Sequence, residues 1–224
     1  MIKRFELFLE ETEPIKTKQQ PTIMFTDIVG SAKLWAEDSK SMEKNLDKHF
    51  KLVTDKAKNW GGMVVKTIGD AFMIYFEPTD NSLLDAINCG IDIINEEEMN
   101  LRIGICYGDF KEKEYIIQNA KLKDYYGTVV NTASRLESKV SDKPGCLSFS
   151  NIDELSQKQS VDILELIDNY RFEKIKYSDD CSNDKKNIGK RSGRLLTDIS
   201  IEECRSIQEL KGITEITAFK VYIK

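Results

Sequence analysis

The chain has 224 residues, 40% of them hydrophobic, with a formal net charge of −5 and an isoelectric point of about 5.2. That length allows one substantial core, and the acidic balance argues against sequence-independent binding of nucleic acid. No apolar run approaches the ~20 residues of a membrane span, the start is too weakly apolar for a signal peptide, and the five cysteines form no CxxC pair, so the expectation is a soluble cytoplasmic protein with reduced thiols.

Residues 1–20 read as an N-terminal arm, with Ile2, Phe5, Phe8 and Leu9 on one helical face until Pro14 breaks the pattern. A first strand is expected over residues 22–29, and Gly30 turns the chain. In the helix that follows, Met42, Leu46, Phe50, Val53, Ala57 and Trp60 keep the spacing of a buried face, and Gly61-Gly62 supplies the stop. The lone histidine, His49, is expected at the surface or boundary of this helix. Residues 63–76 read as a hairpin with Asp70 at its tip. A second helix is expected after Pro78 with Asp80 as N-cap, its stripe formed by Leu83, Leu84, Ile87, Ile91 and Ile94. Leu101, Ile103, Ile105 and Tyr107 alternate with Arg102, Gly104 and Cys106, which predicts a half-buried strand.

Strand, helix, hairpin, helix, strand is the order βαββαβ. The fold class is therefore α+β, a ferredoxin-like palm with an antiparallel sheet and helices on one face. A third helix begins near Gly127 and puts Val129, Ala133, Leu136 and Val140 inside. Asn131 and Arg135 lie about 200° around it from Val129 and Ala133, and so point together away from the core. The polar segment 178–194 reads as a mobile loop. A final strand runs from Ala218 to Ile223.

Asp27 and Asp70 are the sharpest chemical pair. A carboxylate inside strand-like sequence is costly to bury unless it is paired or bound to a metal. Two of them on neighbouring strands could hold a divalent cation against a nucleoside triphosphate. Equally, Asp27 could cap the turn at Gly30 and Asp70 could belong to a tight turn. Lys66 could bond a base or a phosphate, or be an exposed strand lysine. Arg135 could stabilise charge on phosphorus and Asn131 could orient a ribose, or both could face solvent. No P-loop, Rossmann fingerprint or zinc spacing is present.

Five segments in order carry a resemblance: Phe25-Thr26-Asp27-Ile28-Val29-Gly30-Ser31; Lys66-Thr67-Ile68-Gly69-Asp70-Ala71-Phe72-Met73; Arg102-Ile103-Gly104-Ile105 with Gly108-Asp109; Gly127-Thr128-Val129-Val130-Asn131-Thr132-Ala133-Ser134-Arg135-Leu136-Glu137; and Leu210-Lys211-Gly212. Together they resemble the class III nucleotidyl cyclases, the adenylate and guanylate cyclase catalytic domains, over residues 21–224. The resemblance implies the class III cyclase catalytic fold. It also implies two Mg²⁺ or Mn²⁺ ions per site, held by Asp27, Ile28 and Asp70. A ribose 3′-hydroxyl would attack its own α-phosphate, with Asn131 on the ribose, Arg135 on the transition state and Lys211 on the triphosphate. Family members pair head to tail, so a homodimer is implied. One protomer gives the metal aspartates and the other gives Lys66, Asp124, Asn131, Arg135 and Lys211.

Lysine and aspartate at the two base-reading positions, Lys66 and Asp124, imply ATP. Asp124 stands seven residues before Asn131, the family offset. The stand-alone architecture also resembles the pyrimidine cyclases of bacterial antiphage signalling, which keeps UTP or CTP as an alternative. A catalytically silent nucleotide-binding module is the third reading. No partner nucleic acid and no membrane are expected.

Overall fold

A computed structural model describes residues 18–118, 120–178, 203–206, 210, 213 and 215–224. The expected arm up to residue 17, the expected loop from residue 179 onward, and Lys211 with Gly212 lie outside the described residues.

Strand β1 (Thr22–Ile28) is the centre of the βαββαβ unit. It pairs antiparallel with β3 (Ala71–Phe76) on one side and with β4 (Leu101–Tyr107) on the other. The edge strand β2 (Gly62–Ile68) pairs with β3. Beyond β4 come β7 (Cys146–Ser150), β10 (Ile216–Tyr222), β8 (Arg171–Ser178) and β9 (Glu203–Ser206). The pairs β4–β7 and β8–β9 are parallel and the others antiparallel. A separate hairpin, β5 (Lys111–Ile117) and β6 (Ala120–Tyr126), stands off the main sheet.

Period-two alternation divides the sheet into two cores. Met24, Ile28, Phe72, Ile74, Ile103 and Ile105 face one side, where they meet α2 (Ser39–Asn59), α3 (Ser82–Glu96) and α5 (Gln157–Ile167). Ile23, Phe25, Met73 and Cys106 face the other, against α4 (Thr128–Arg135) through Val129, Val130 and Ala133. The expected palm is thus present with its two helices α2 and α3 on one face, joined there by α5, and the helix expected near Gly127, α4, packs on the opposite face.

Three local expectations are corrected. The helix after Gly30 is two helices: α1 (Ser31–Glu37) stops at Asp38, whose extended backbone starts α2 while its side chain accepts the Ser41 N–H at 3.1 Å. Aspartate at an N-cap competes well for a free helix donor, so the chain bends there. Asp80 is not the cap of α3. Asn81 takes that position without a side-chain cap bond, and the Asp80 carbonyl accepts from the Gln159 amide at 2.6 Å. His49 is not at a surface. It is fully buried in α2, because Glu97 and a main-chain carbonyl satisfy its ring nitrogens.

Candidate active site

The β2–β3 hairpin turns on two residues, Gly69 and Asp70, with Ile68 facing Ala71. Gly69 has φ +65°, as the first central position of a type II′ hairpin turn requires. The β1–β3 register runs to Thr26 against Phe72. Extending it by two residues brings Ile28 level with Asp70, so Asp27, Ile28 and Asp70 meet at one end of neighbouring strands. Asp70 Oδ2 is buried and has no hydrogen-bond partner. A buried carboxylate oxygen with nothing bonded to it is a costly feature that a cation would offset. Among the described residues no three His, Cys, Asp or Glu side chains gather as a full protein cage. The oxygens that could serve a cation here are two carboxylates and a main-chain carbonyl. Hard oxygens of this kind suit Mg²⁺ or Mn²⁺ and leave positions for phosphate.

Asp27 is already engaged. Arg102 stands opposite it on β4 and places Nη2 2.5 Å and Nε 3.1 Å from Asp27 Oδ2. The same guanidinium lies 2.5 Å from Glu137 Oε1. Burial pushes the Glu137 carboxyl up to about 7, against the pull of Arg102 and with the repulsion of Asp27. Sequence reasoning missed Arg102 and Glu137 as site residues. The strand expected to be half-buried is buried on both faces, with Arg102 its one partly exposed residue, and the sequence signal available was that single charge in an otherwise apolar β4.

Lys66 depends on an irregularity. Val64 faces Ile74 and Lys66 faces Met73, so Val65 is a bulge. Without it Lys66 would share the face of Val64; with it Lys66 joins the face of Met73, the side of α4 and the β5–β6 hairpin. There Lys66 Nζ lies 2.5 Å from Asp124 Oδ2. Asp124 also accepts from the Tyr126 hydroxyl and the Tyr125 N–H, both at 2.9 Å. Burial works to raise the Asp124 carboxyl, yet these three donors hold it below the usual range. Tyr125 anchors the hairpin by stacking on Tyr75 at 4.7 Å, with Phe110 edge-on to both. Val65, Lys66, Tyr115, Ile117, Leu122, Lys123, Asp124 and Tyr126 line a cavity of about 310 Å³ between the hairpins.

On α4, Val129 and Ala133 are buried, Asn131 is exposed and Arg135 half-buried. Neither polar side chain makes a hydrogen bond or ion pair among the described residues. The fold therefore joins Lys66 to Asp124 and carries Asp27 and Asp70 at the same end of neighbouring strands. It leaves Asn131 and Arg135 unengaged on a separate element.

The family description "Adenylate and Guanylate cyclase catalytic domain" matches residues 13–165. The chain belongs to this family, the class III nucleotidyl cyclases. An adenylate cyclase of Neurospora crassa is 28% identical over 176 residues, 65% of this chain and 8% of that protein. Adenylate cyclase 2 of Rhizobium meliloti is 28% identical over 136 residues, 54% of this chain and 37% of its own length. The chain thus spans well under half the length of either. Among solved structures, the guanylate cyclase domain from Catenaria anguillulae in complex with GTP has a TM-score of 0.60 at 21% identity, covering 91% of this chain and 96% of that one. An adenylyl cyclase from P. aeruginosa has a TM-score of 0.61 at 17% identity, covering 91% and 94%. These likenesses show the class III catalytic fold. Among the described residues no helix is long and apolar enough to cross a membrane.

Proposed function

We propose that the chain is an adenylate cyclase, converting ATP to 3′,5′-cyclic AMP and pyrophosphate. The contact of Lys66 with Asp124 in the wall of the inter-hairpin cavity carries this reading. An ammonium donor beside an anionic acceptor complements a base edge with a ring-nitrogen acceptor beside an amine donor. Adenine offers that edge at N1 and its 6-amine. Guanine and uracil offer the reverse, a ring N–H beside a carbonyl. Entry of the base exchanges the Lys66–Asp124 contact for one bond from each residue to the base. Cytosine shares adenine's pattern at N3 and its 4-amine, so the same contact makes CTP, ahead of UTP, the second reading.

The reaction makes one bond and breaks one. The ribose 3′-oxygen attacks the α-phosphorus as its proton leaves, and the bond to the bridging oxygen breaks to release pyrophosphate. Asp27, the Ile28 carbonyl and Asp70 would hold two Mg²⁺ or Mn²⁺ ions, which when bound lower the pKa of the attacking hydroxyl and neutralise the leaving pyrophosphate. Asn131 holds the ribose and Arg135 meets the charge that builds on the α-phosphate. Lys211 grips the triphosphate. The active form is a homodimer in which one protomer gives the aspartates and its partner gives Lys66, Asp124, Asn131, Arg135 and Lys211. The unengaged side chains of Asn131 and Arg135 support this division. So do the exposed apolar residues Ile116, Ile117 and Leu122 on the β5–β6 hairpin, a surface that pairing would cover.

The test is incubation of the purified chain with ATP, GTP, CTP or UTP and Mn²⁺, beside an Asp70→Ala control, with products identified by mass spectrometry. Cyclic AMP as the main product, lost in the control, is the expected result. Cyclic CMP or UMP as the main product would overturn the base assignment and keep the chemistry. No cyclic product from any triphosphate would favour the silent nucleotide-binding module.

A further inference from the structure

The buried histidine of α2 reaches the hairpin tip. His49 Nδ1 lies 2.7 Å from Glu97 Oε2, and Nε2 lies 3.3 Å from the main-chain carbonyl oxygen of Asp70. His49 is 0% exposed and Glu97 6%. Phe50 and Phe72 meet the imidazole edge-on, with centroids at 6.3 and 5.5 Å, and fix the ring plane. Glu97 is braced in turn. Its Oε1 accepts the Met99 N–H at 3.1 Å, and its carbonyl accepts from Lys224 Nζ at 2.8 Å. A chain of bonds thus runs from the end of α3 through the middle of α2 to a two-residue turn.

That turn sits at the edge of the sheet. It joins an edge strand to β3, and Ile68 beside it is 57% exposed. A buried polar pair is weak evidence for stability, since well-packed apolar residues would serve as well or better. What an apolar pair could not do is hold a carbonyl oxygen in place. Fixing the Asp70 carbonyl fixes its peptide plane, and with it the direction in which the side chain leaves the backbone. The orphaned Oδ2 of Asp70 is the group that direction controls.

We infer that His49, braced by Glu97, is a positioning residue that holds the hairpin tip so that Asp70 presents its carboxylate to a divalent cation. The inference rests on the reading of Asp70 as a metal ligand. Groups that orient a metal ligand without touching the ion commonly change affinity by about 10- to 100-fold when removed.

Asparagine and glutamine separate the two arms of the ring. His49→Asn places a donor near Nδ1, toward Glu97; His49→Gln places one near Nε2, toward Asp70. For each full-length variant, Mn²⁺ binding is measured by electron paramagnetic resonance in the presence of 3′-deoxy-ATP, which lacks the attacking hydroxyl. Thermal melting is followed alongside, with Asp70→Ala as reference. The expected result is a crossing. His49→Asn melts near the wild type but binds Mn²⁺ about tenfold more weakly; His49→Gln melts lower but keeps most of the Mn²⁺ affinity. Wild-type Mn²⁺ affinity in His49→Asn, or affinity that only tracks melting in both variants, would overturn the inference while the reading of Asp70 stands. Equal Mn²⁺ binding by Asp70→Ala and the wild type would remove Asp70 as a ligand, and the inference with it.

Discussion

Arg102 has one guanidinium and two carboxylates to serve, Asp27 and Glu137. One positive charge cannot neutralise both, and the more buried Glu137 is the one pushed up to about 7 from an ordinary 4.5. The folded protein therefore holds this proton more tightly than the unfolded chain does. Such a group favours folding below about pH 4.5, and the favour is lost as pH rises towards 7. Glu137→Gln should flatten that part of the stability curve and raise stability at pH 8, by an amount of order 3 kcal/mol; urea unfolding from pH 4 to 8 would measure it. A second prediction concerns the base. Lys66→Glu with Asp124→Cys removes the ammonium donor and the anionic acceptor together. The ratio of kcat/KM for ATP over GTP should fall by about 100-fold or more, as expected when each residue contributes ~1–3 kcal/mol, measured by competition between the two nucleotides.

At the scale of elements, the site depends on how closely α4 approaches the sheet. A Cβ on Gly104 of β4 would lie 2.1 Å from Glu137 N and 2.3 Å from Ala133 O, both main chain. Glycine here lets a helix backbone rest directly on a strand. The approach continues into a turn of π-helix, Leu136–Val140. Ser148 donates to the Leu136 carbonyl at 3.1 Å and Ser141 donates to the Ile103 carbonyl at 2.7 Å, so hydroxyls tie this turn to β7 and β4. Gly104→Ala forces α4 outward, carrying Asn131 and Arg135 with it. The expected cost is about 1–3 kcal/mol in denaturant unfolding. Activity should fall further than stability explains, because catalytic placement tolerates little displacement.

At the scale of the molecule, the proposed dimer makes two predictions. Ile116→Asp, at the most exposed apolar residue of the β5–β6 hairpin and outside the cavity lining, should shift the chain towards monomer by size exclusion with light scattering, and activity should fall in proportion. Asp27→Ala and Arg135→Ala chains, each inactive alone, should recover activity when mixed, because a mixed dimer keeps one intact site of two. Verified mixed dimers that stay inactive would place the whole site in one protomer.

Much of this protein is legible in its sequence. Period-two and helical spacing carry β1, the β2–β3 hairpin, β4 and the inner faces of α2, α3 and α4, because burial selects side chains by the geometry of the element they sit on. The placement of Asp70 at a glycine turn, and the outward face shared by Asn131 and Arg135, follow from the same local rules. Tertiary structure decided what those rules cannot reach. A bulge at Val65 turned Lys66 to the other face of the sheet, and a bulge depends on pairing with a partner strand. Gly104 read as one of an alternating pattern, but its need comes from the main chain of Ala133 and Glu137, far along the chain. Arg102 gained its role from standing opposite Asp27, a register set by the whole sheet. His49 reads as a polar residue on an amphipathic helix, and only Glu97 and the carbonyl of Asp70, brought to it by folding, make its burial tolerable.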